Sequence, residues 1–240
     1  GRKNKKLIAV FRLQNQIPYS GKRKKMKQAL IFGSTGLIGN EVLQLLLADS
    51  AYHISTFTRQ AAQSSNKVTN HVINFNRLEE SAKLISGDVL FCCLGTTIKK
   101  AGSQASFRDI DYELVLKIAR IAVLNGVARM IVISSVGADA NSGNFYLKTK
   151  GEMERDLQLL PFQRIKILRP SILTGQRKEF RLGEKVGIGF ATLLAPLMMG
   201  NLHKYRPIKA ETVARAMIAL ASDDSPQIVY ESDALQLAGK

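Results

Sequence analysis

Tyr146 and Lys150 stand four residues apart in a segment with helical periodicity, so both side chains fall on one helix face. An ammonium beside a phenol favours the phenolate, which equips the hydroxyl to exchange a proton with a reacting oxygen. Eleven residues before Tyr146, the pair Ser134-Ser135 ends the apolar run Met130-Ile131-Val132-Ile133. A serine at the carboxyl end of a strand can share that oxygen through its own hydroxyl. Spacing to Tyr146 favours Ser135 over Ser134. Together these residues suit general acid–base chemistry at a carbonyl or a secondary alcohol.

A second constellation supplies a binding site. Gly33-Ser34-Thr35-Gly36-Leu37-Ile38-Gly39 follows the apolar run 28–32 and opens into the amphipathic stretch 41–47. The first two glycines let the backbone turn tightly and approach a pyrophosphate, and the third lets the helix pack closely on the strand. The helix start offers free N–H groups and partial positive charge to the anion. Further on, the end of the second apolar run reads Phe57-Thr58-Arg59-Gln60. An acidic residue there would accept hydrogen bonds from the ribose 2′-OH of NAD. None is present, and Arg59 suits a bidentate grip on a 2′-phosphate. NADP is therefore the expected cofactor.

The elements that must position these residues alternate. Strands are predicted at 28–32, 52–58, 68–75, 88–94, 130–134, 165–168 and 227–230, and helices at 41–48, 78–85, 107–125, 146–159 and 210–221. In the third of these helices Leu114, Val115, Ile118, Ile121 and Ala122 recur at three- and four-residue spacing and mark one buried face. Alternating β and α elements with hydrophobic strands predict an α/β fold, a parallel sheet covered on both sides.

Composition bounds the rest. The chain has 240 residues, 45% of them hydrophobic, and a formal charge of +16. Residues 1–25 hold nine Lys/Arg and no acid; the remainder carries 26 basic and 19 acidic residues, a charge of +7. The excess thus belongs largely to a basic tail, and residues 26–240 are expected to form a single domain. The tail reads as an artefactual extension, a disordered basic arm, or an anchor to membrane or nucleic acid, in that order. Its apolar run 7–11 is too short for the core of a secretion signal or for a membrane span. The body shows no interleaving of basic and aromatic residues, so nucleic acid is not an expected partner. Cys92 and Cys93 are adjacent in a predicted strand, where neighbours point to opposite faces. They are poorly placed for a disulfide, and packing outweighs catalysis for both. The isolated His53, His71 and His203 offer no metal-ligand spacing. A reducing cytoplasm is the expected compartment.

Five separated motifs in order carry a resemblance: the glycine turn; Cys93-Leu94-Gly95-Thr96-Thr97 with Lys99 and Ala101-Gly102; Ser134 to Asp139; Tyr146 to Lys150 followed by Gly151-Glu152; and Leu168-Arg169-Pro170. From about Lys27 to Ala221 the chain resembles the atypical short-chain dehydrogenase/reductase superfamily. Within it, the Tat-interacting-protein-like group of NAD(P)-binding proteins, related to nucleoside-diphosphate-sugar epimerases, is the nearest likeness. The resemblance implies a Rossmann-like, doubly wound parallel sheet with a small variable substrate lobe. It places Gly33, Gly36 and Gly39, with Ser34, Thr35, Leu37 and Ile38 between them, at the pyrophosphate. Thr58, Arg59, Leu94, Gly95, Thr96, Arg169 and Pro170 would complete the cofactor site. Ser135, Tyr146 and Lys150 would form the catalytic trio, Lys150 also binding the nicotinamide ribose. The function implied is NADP-dependent oxidation or reduction of a small molecule, by a monomer or homodimer. The alternative is a cofactor-binding regulator or scaffold with little turnover.

The lobe is expected at 171–206, where Arg177, Lys178 and Arg181 precede the apolar run 186–200. A core or lid helix is the favoured reading of that run, ahead of peripheral membrane contact and a subunit interface. It is too short to span a bilayer.

Overall fold

A computed structural model describes residues 26–174 and 204–240. In chain order the elements are β1 (Lys27–Phe32), α1 (Leu37–Ala48), β2 (Tyr52–Thr58), β3 (Val68–Val72), a 3-10 segment (Phe75–Leu84), β4 (Val89–Cys92), α2 (Ile98–Ala101), α3 (Gln104–Arg108), a π-helical turn (Asp109–Glu113), α4 (Leu114–Leu124) and β5 (Arg129–Ile133). There follow α5 (Phe145–Leu157), β6 (Arg164–Arg169), β7 (Leu173–Thr174), β8 (Ile208–Lys209), α6 (Ala210–Leu220), β9 (Val229–Glu231) and α7 (Ser232–Ala238).

Seven strands form one parallel sheet in the order β3-β2-β1-β4-β5-β6-β9. The order reverses between β1 and β4, which leaves a crevice beyond their carboxyl ends, where such sheets bind ligands. Residues of β1 alternate between two cores. Ala29 and Ile31 pack with Val42 and Leu46 of α1 and Val213 and Met217 of α6. Leu30 and Phe32 pack on the opposite face with Val115, Ile118 and Ala122 of α4 and Met153 of α5. Cys92 joins the second core and Cys93 leans on the first, as alternation along a strand requires.

Four local departures from the predicted elements stand out. The 78–85 segment is 3-10 rather than α-helical, because the Asn74 side chain accepts the Asn76 N–H at 3.0 Å and Arg77 leaves helical geometry. That same cap ends β3 at Val72, short of the predicted 75. The helix predicted at 107–125 starts at Gln104 and contains the π turn, and α7, only seven residues long, is too short to announce itself by periodicity. Of the expected lobe, only 171–174 and 204–206 lie among the described residues. Leu173 pairs with Ile208 and Thr174 with Lys209, so a short parallel ladder fastens its two ends together.

Candidate functional site

The glycine turn joins β1 to α1 at the crevice. Gly33 has φ +84°, and a Cβ there would lie 2.7 Å from the Cys93 carbonyl oxygen, so β4's loop and β1's loop touch through bare backbone. Gly36 donates its N–H to the Gly33 carbonyl at 3.0 Å and becomes the N-cap of α1. It brings no side-chain cap, and the first turn of α1 has no acidic residue. The amide groups at the helix start are thus left to an external acceptor, and the positive end of the helix dipole faces the crevice. Ser34 and Ile38 are buried behind this cradle, Leu37 is half-buried and Thr35 is exposed at its mouth. The cradle fits a pyrophosphate.

At the end of β2, Thr58 is buried and its hydroxyl is already engaged. It donates to the Gln60 carbonyl at 2.7 Å and accepts from the Asn70 side-chain amide at 2.9 Å. Thr58 therefore shapes the turn, and the Arg59 beside it is exposed.

Across the switch point, the loop Leu94-Gly95-Thr96 meets α5 through a residue that pattern reading passed over. Asp111, in the π turn, is fully buried; its Oδ2 accepts the Thr96 N–H at 2.9 Å and its Oδ1 lies 2.7 Å from Lys150 Nζ. The signal for it is present in the sequence. Phe107, Asp111 and Val115 are spaced by four, so a carboxylate interrupts the apolar stripe. The two helices are clasped around this pair by Arg108–Glu152 and by Tyr112–Asp156, each at 2.5 Å. Burial opposes the charge on Lys150, but the Asp111 carboxylate, with Tyr146 and Cys92 adding to it, outweighs burial and raises the ammonium's pKa.

Tyr146 occupies the same face of α5 one turn earlier, half-buried, its ring 5.2 Å from that of Phe107. The paired serines part company. Ser134 is buried and gives its hydroxyl to Glu154, whereas Ser135 is half-buried with its hydroxyl 3.4 Å from the Val136 carbonyl. Arg169, expected in the cofactor site, has its guanidinium engaged within the fold. It binds Glu154 through Nε at 2.9 Å and Glu231 through Nη1 at 3.0 Å. Burial pushes the Cys92 thiol up to about 11 and Cys93 higher than usual too, which suits packing rather than nucleophilic chemistry. Among the described residues no cluster of His, Cys, Asp or Glu is placed to hold a metal, and no helix is long and apolar enough to cross a membrane.

A family model described as NAD(P)H-binding matches residues 33–224. Protein HTATIP2 of Rattus norvegicus is 32% identical over 243 residues, covering 98% of this chain and 94% of the relative. The mitochondrial protein FMP52 of Candida albicans is 34% identical over 203 residues, covering 80% and 86%. Similar solved structures include MoeE5 in complex with UDP-glucose and NAD, with a TM-score of 0.64, 15% identity and coverage of 84% and 74%. Vestitone reductase from alfalfa follows with a TM-score of 0.59, 17% identity and coverage of 85% and 76%. At such identities these two share the fold.

The cytoplasmic expectation is overturned by the FMP52 proteins, which are mitochondrial. Two free thiols argue only for a reducing compartment, and the mitochondrial matrix satisfies that as well as the cytosol does. The resemblance to atypical short-chain dehydrogenases and epimerases is upheld, and with a family match spanning most of its length the chain belongs to the NAD(P)H-binding family.

Proposed function

We propose that residues 26–240 form one NADP-dependent oxidoreductase domain acting on a carbonyl or secondary alcohol of a small molecule, with the substrate lobe around 171–206. The observation that carries this reading is a buried, charged Lys150 one helical turn from Tyr146, at the crevice that also holds the glycine cradle. When bound, the nicotinamide supplies or accepts the hydride equivalent. In the reducing direction the Tyr146 hydroxyl donates its proton to the substrate oxygen as negative charge develops there. Ser135 donates a hydrogen bond to the same oxygen, a role open to it because Ser134 is committed to Glu154. Lys150 stabilises the phenolate left behind and reaches the nicotinamide ribose. Exposed Arg59, with no carboxylate at the end of β2, supports NADP over NAD.

A panel of carbonyl compounds with NADPH oxidation as readout tests the proposal. Turnover of at least one compound by the wild type is expected. Tight NADPH binding with no turnover across the panel would transfer the reading to a cofactor-binding regulator.

A further inference from the structure

Asp111 touches both halves of the site, holding the Thr96 amide with one oxygen and Lys150 Nζ with the other. The side chains of the pair are 0% and 3% exposed, so no bulk solvent screens them. The π turn creates this contact: it widens one turn of the 104–124 helix and sets Asp111 under the loop. An acid–base trio needs only the ammonium. The carboxylate makes the buried charge sum to zero.

The two redox forms of a nicotinamide differ by one unit of charge, since the oxidised ring is cationic and the reduced ring neutral. An uncompensated ammonium near the nicotinamide would therefore disfavour the oxidised form relative to the reduced one. We propose that Asp111 sets the balance between the oxidised and reduced cofactor, cancelling the Lys150 charge so that NADP+ is tolerated at the site. The inference rests on Lys150 reaching the nicotinamide ribose, as in the proposed function. Asp111 acts through Lys150 and the loop backbone and is a positioning and charge-balancing residue, not a group that touches substrate.

Titration supplies a signature that a purely structural role lacks. The groups facing Lys150 are Asp111 from the π turn, Tyr146 on its own helix and Cys92 on β4. The Cys92 thiol, pushed up to about 11 by burial, stays neutral over the working range. Asp111→Asn removes the main counterweight to burial and leaves only the smaller contributions of Tyr146 and Cys92, so Lys150 loses its proton more readily. The variant's site then carries net positive charge at low pH and none at high pH.

The test measures NADPH binding by fluorescence and NADP+ by competition, from about pH 6 to about pH 9. Wild type should show a nearly pH-independent ratio of the two dissociation constants. In Asp111→Asn the preference for NADPH should rise on the order of tenfold at the acid end and fall back toward wild type at the alkaline end. Lys150→Met should move the preference toward NADP+, and the double variant Asp111→Asn/Lys150→Met, with no buried charge, should return to the wild-type ratio even if both affinities drop. An unchanged ratio in Asp111→Asn, with both forms bound, overturns the proposal. Should that variant not fold, shifts of the same sign in Lys150→Met and the double variant overturn it instead. Wild type binding neither form would overturn the cofactor reading itself, a result that needs no variant to recognise.

Discussion

Gly39, in the first turn of α1, lies directly against the carbonyl oxygen of Gly33; a Cβ on Gly39 would stand 2.1 Å from that oxygen and 3.1 Å from the Ser34 Cα. Both obstacles are backbone, so no rotamer change relieves them. The cradle's shape is therefore set by this one contact between the loop and the helix it precedes.

Gly39→Ala should force the helix off the loop, lowering stability by about 1–3 kcal/mol and cofactor affinity by tenfold or more. Thermal melting and NADPH titration of the purified variant check both. Wild-type affinity in Gly39→Ala would show that the anion does not sit on this turn.

NADPH should bind about ten- to a hundredfold more tightly than NADH, the range expected for hydrogen bonds between a guanidinium and a phosphate. Arg59→Ala should erase most of the difference by weakening NADPH alone. Equal wild-type affinities for the two cofactors would remove the NADP assignment.

Tyr146→Phe should lower turnover by roughly a hundred- to ten-thousandfold while leaving cofactor affinity nearly intact, because the ring still packs on Phe107 and only the hydroxyl is lost. Lys150→Ala should damage both, since it also strands Asp111 in the interior. A substrate reduced equally well by wild type and Tyr146→Phe would exclude this mechanism.

Stability should fall in acid through Asp223. Hydrogen bonds from Lys166 Nζ at 2.8 Å, from Ser225 and from Tyr230 hold this carboxyl well below its ordinary value of 3.8. Because its folded-state pKa is depressed, the contribution is complete above that ordinary value and is lost as pH falls below it toward the folded value. Asp223→Asn should cost roughly 1–3 kcal/mol at neutral pH by depriving fully buried Lys166 of its charged partner, and should flatten the acid limb. Urea unfolding at a series of acidic pH values measures both effects.

Removal of residues 1–25 should leave melting temperature and cofactor binding unchanged, since β1 begins at Lys27 and its buried run at Ala29. A melting point lower by several degrees would mean that the tail contributes to the body.

The sequence by itself determined the alternation of strand and helix, the glycine turn and the pairing of Tyr146 with Lys150, because each is a local pattern: period, turn chemistry, or spacing within one helix. It carried the fold class for the same reason, since apolar strands separated by helices have few ways to bury both faces. Spacing favours Ser135 over its neighbour but does not show what engages either; the structure resolves their surroundings through Glu154, twenty residues on, whose carboxylate claims Ser134 from the buried side. Arg169 looked available in its motif, but strand pairing of β6 with β9 brings Glu231 beside it, and a guanidinium bound to two carboxylates has little left to offer a ligand. The role of Asp111 was least legible. A carboxylate on an apolar helix stripe has no meaning until packing of the 104–124 helix on α5 puts Lys150 within 2.7 Å, and a π turn, which no period of the sequence announces, supplies the rotation that makes the contact.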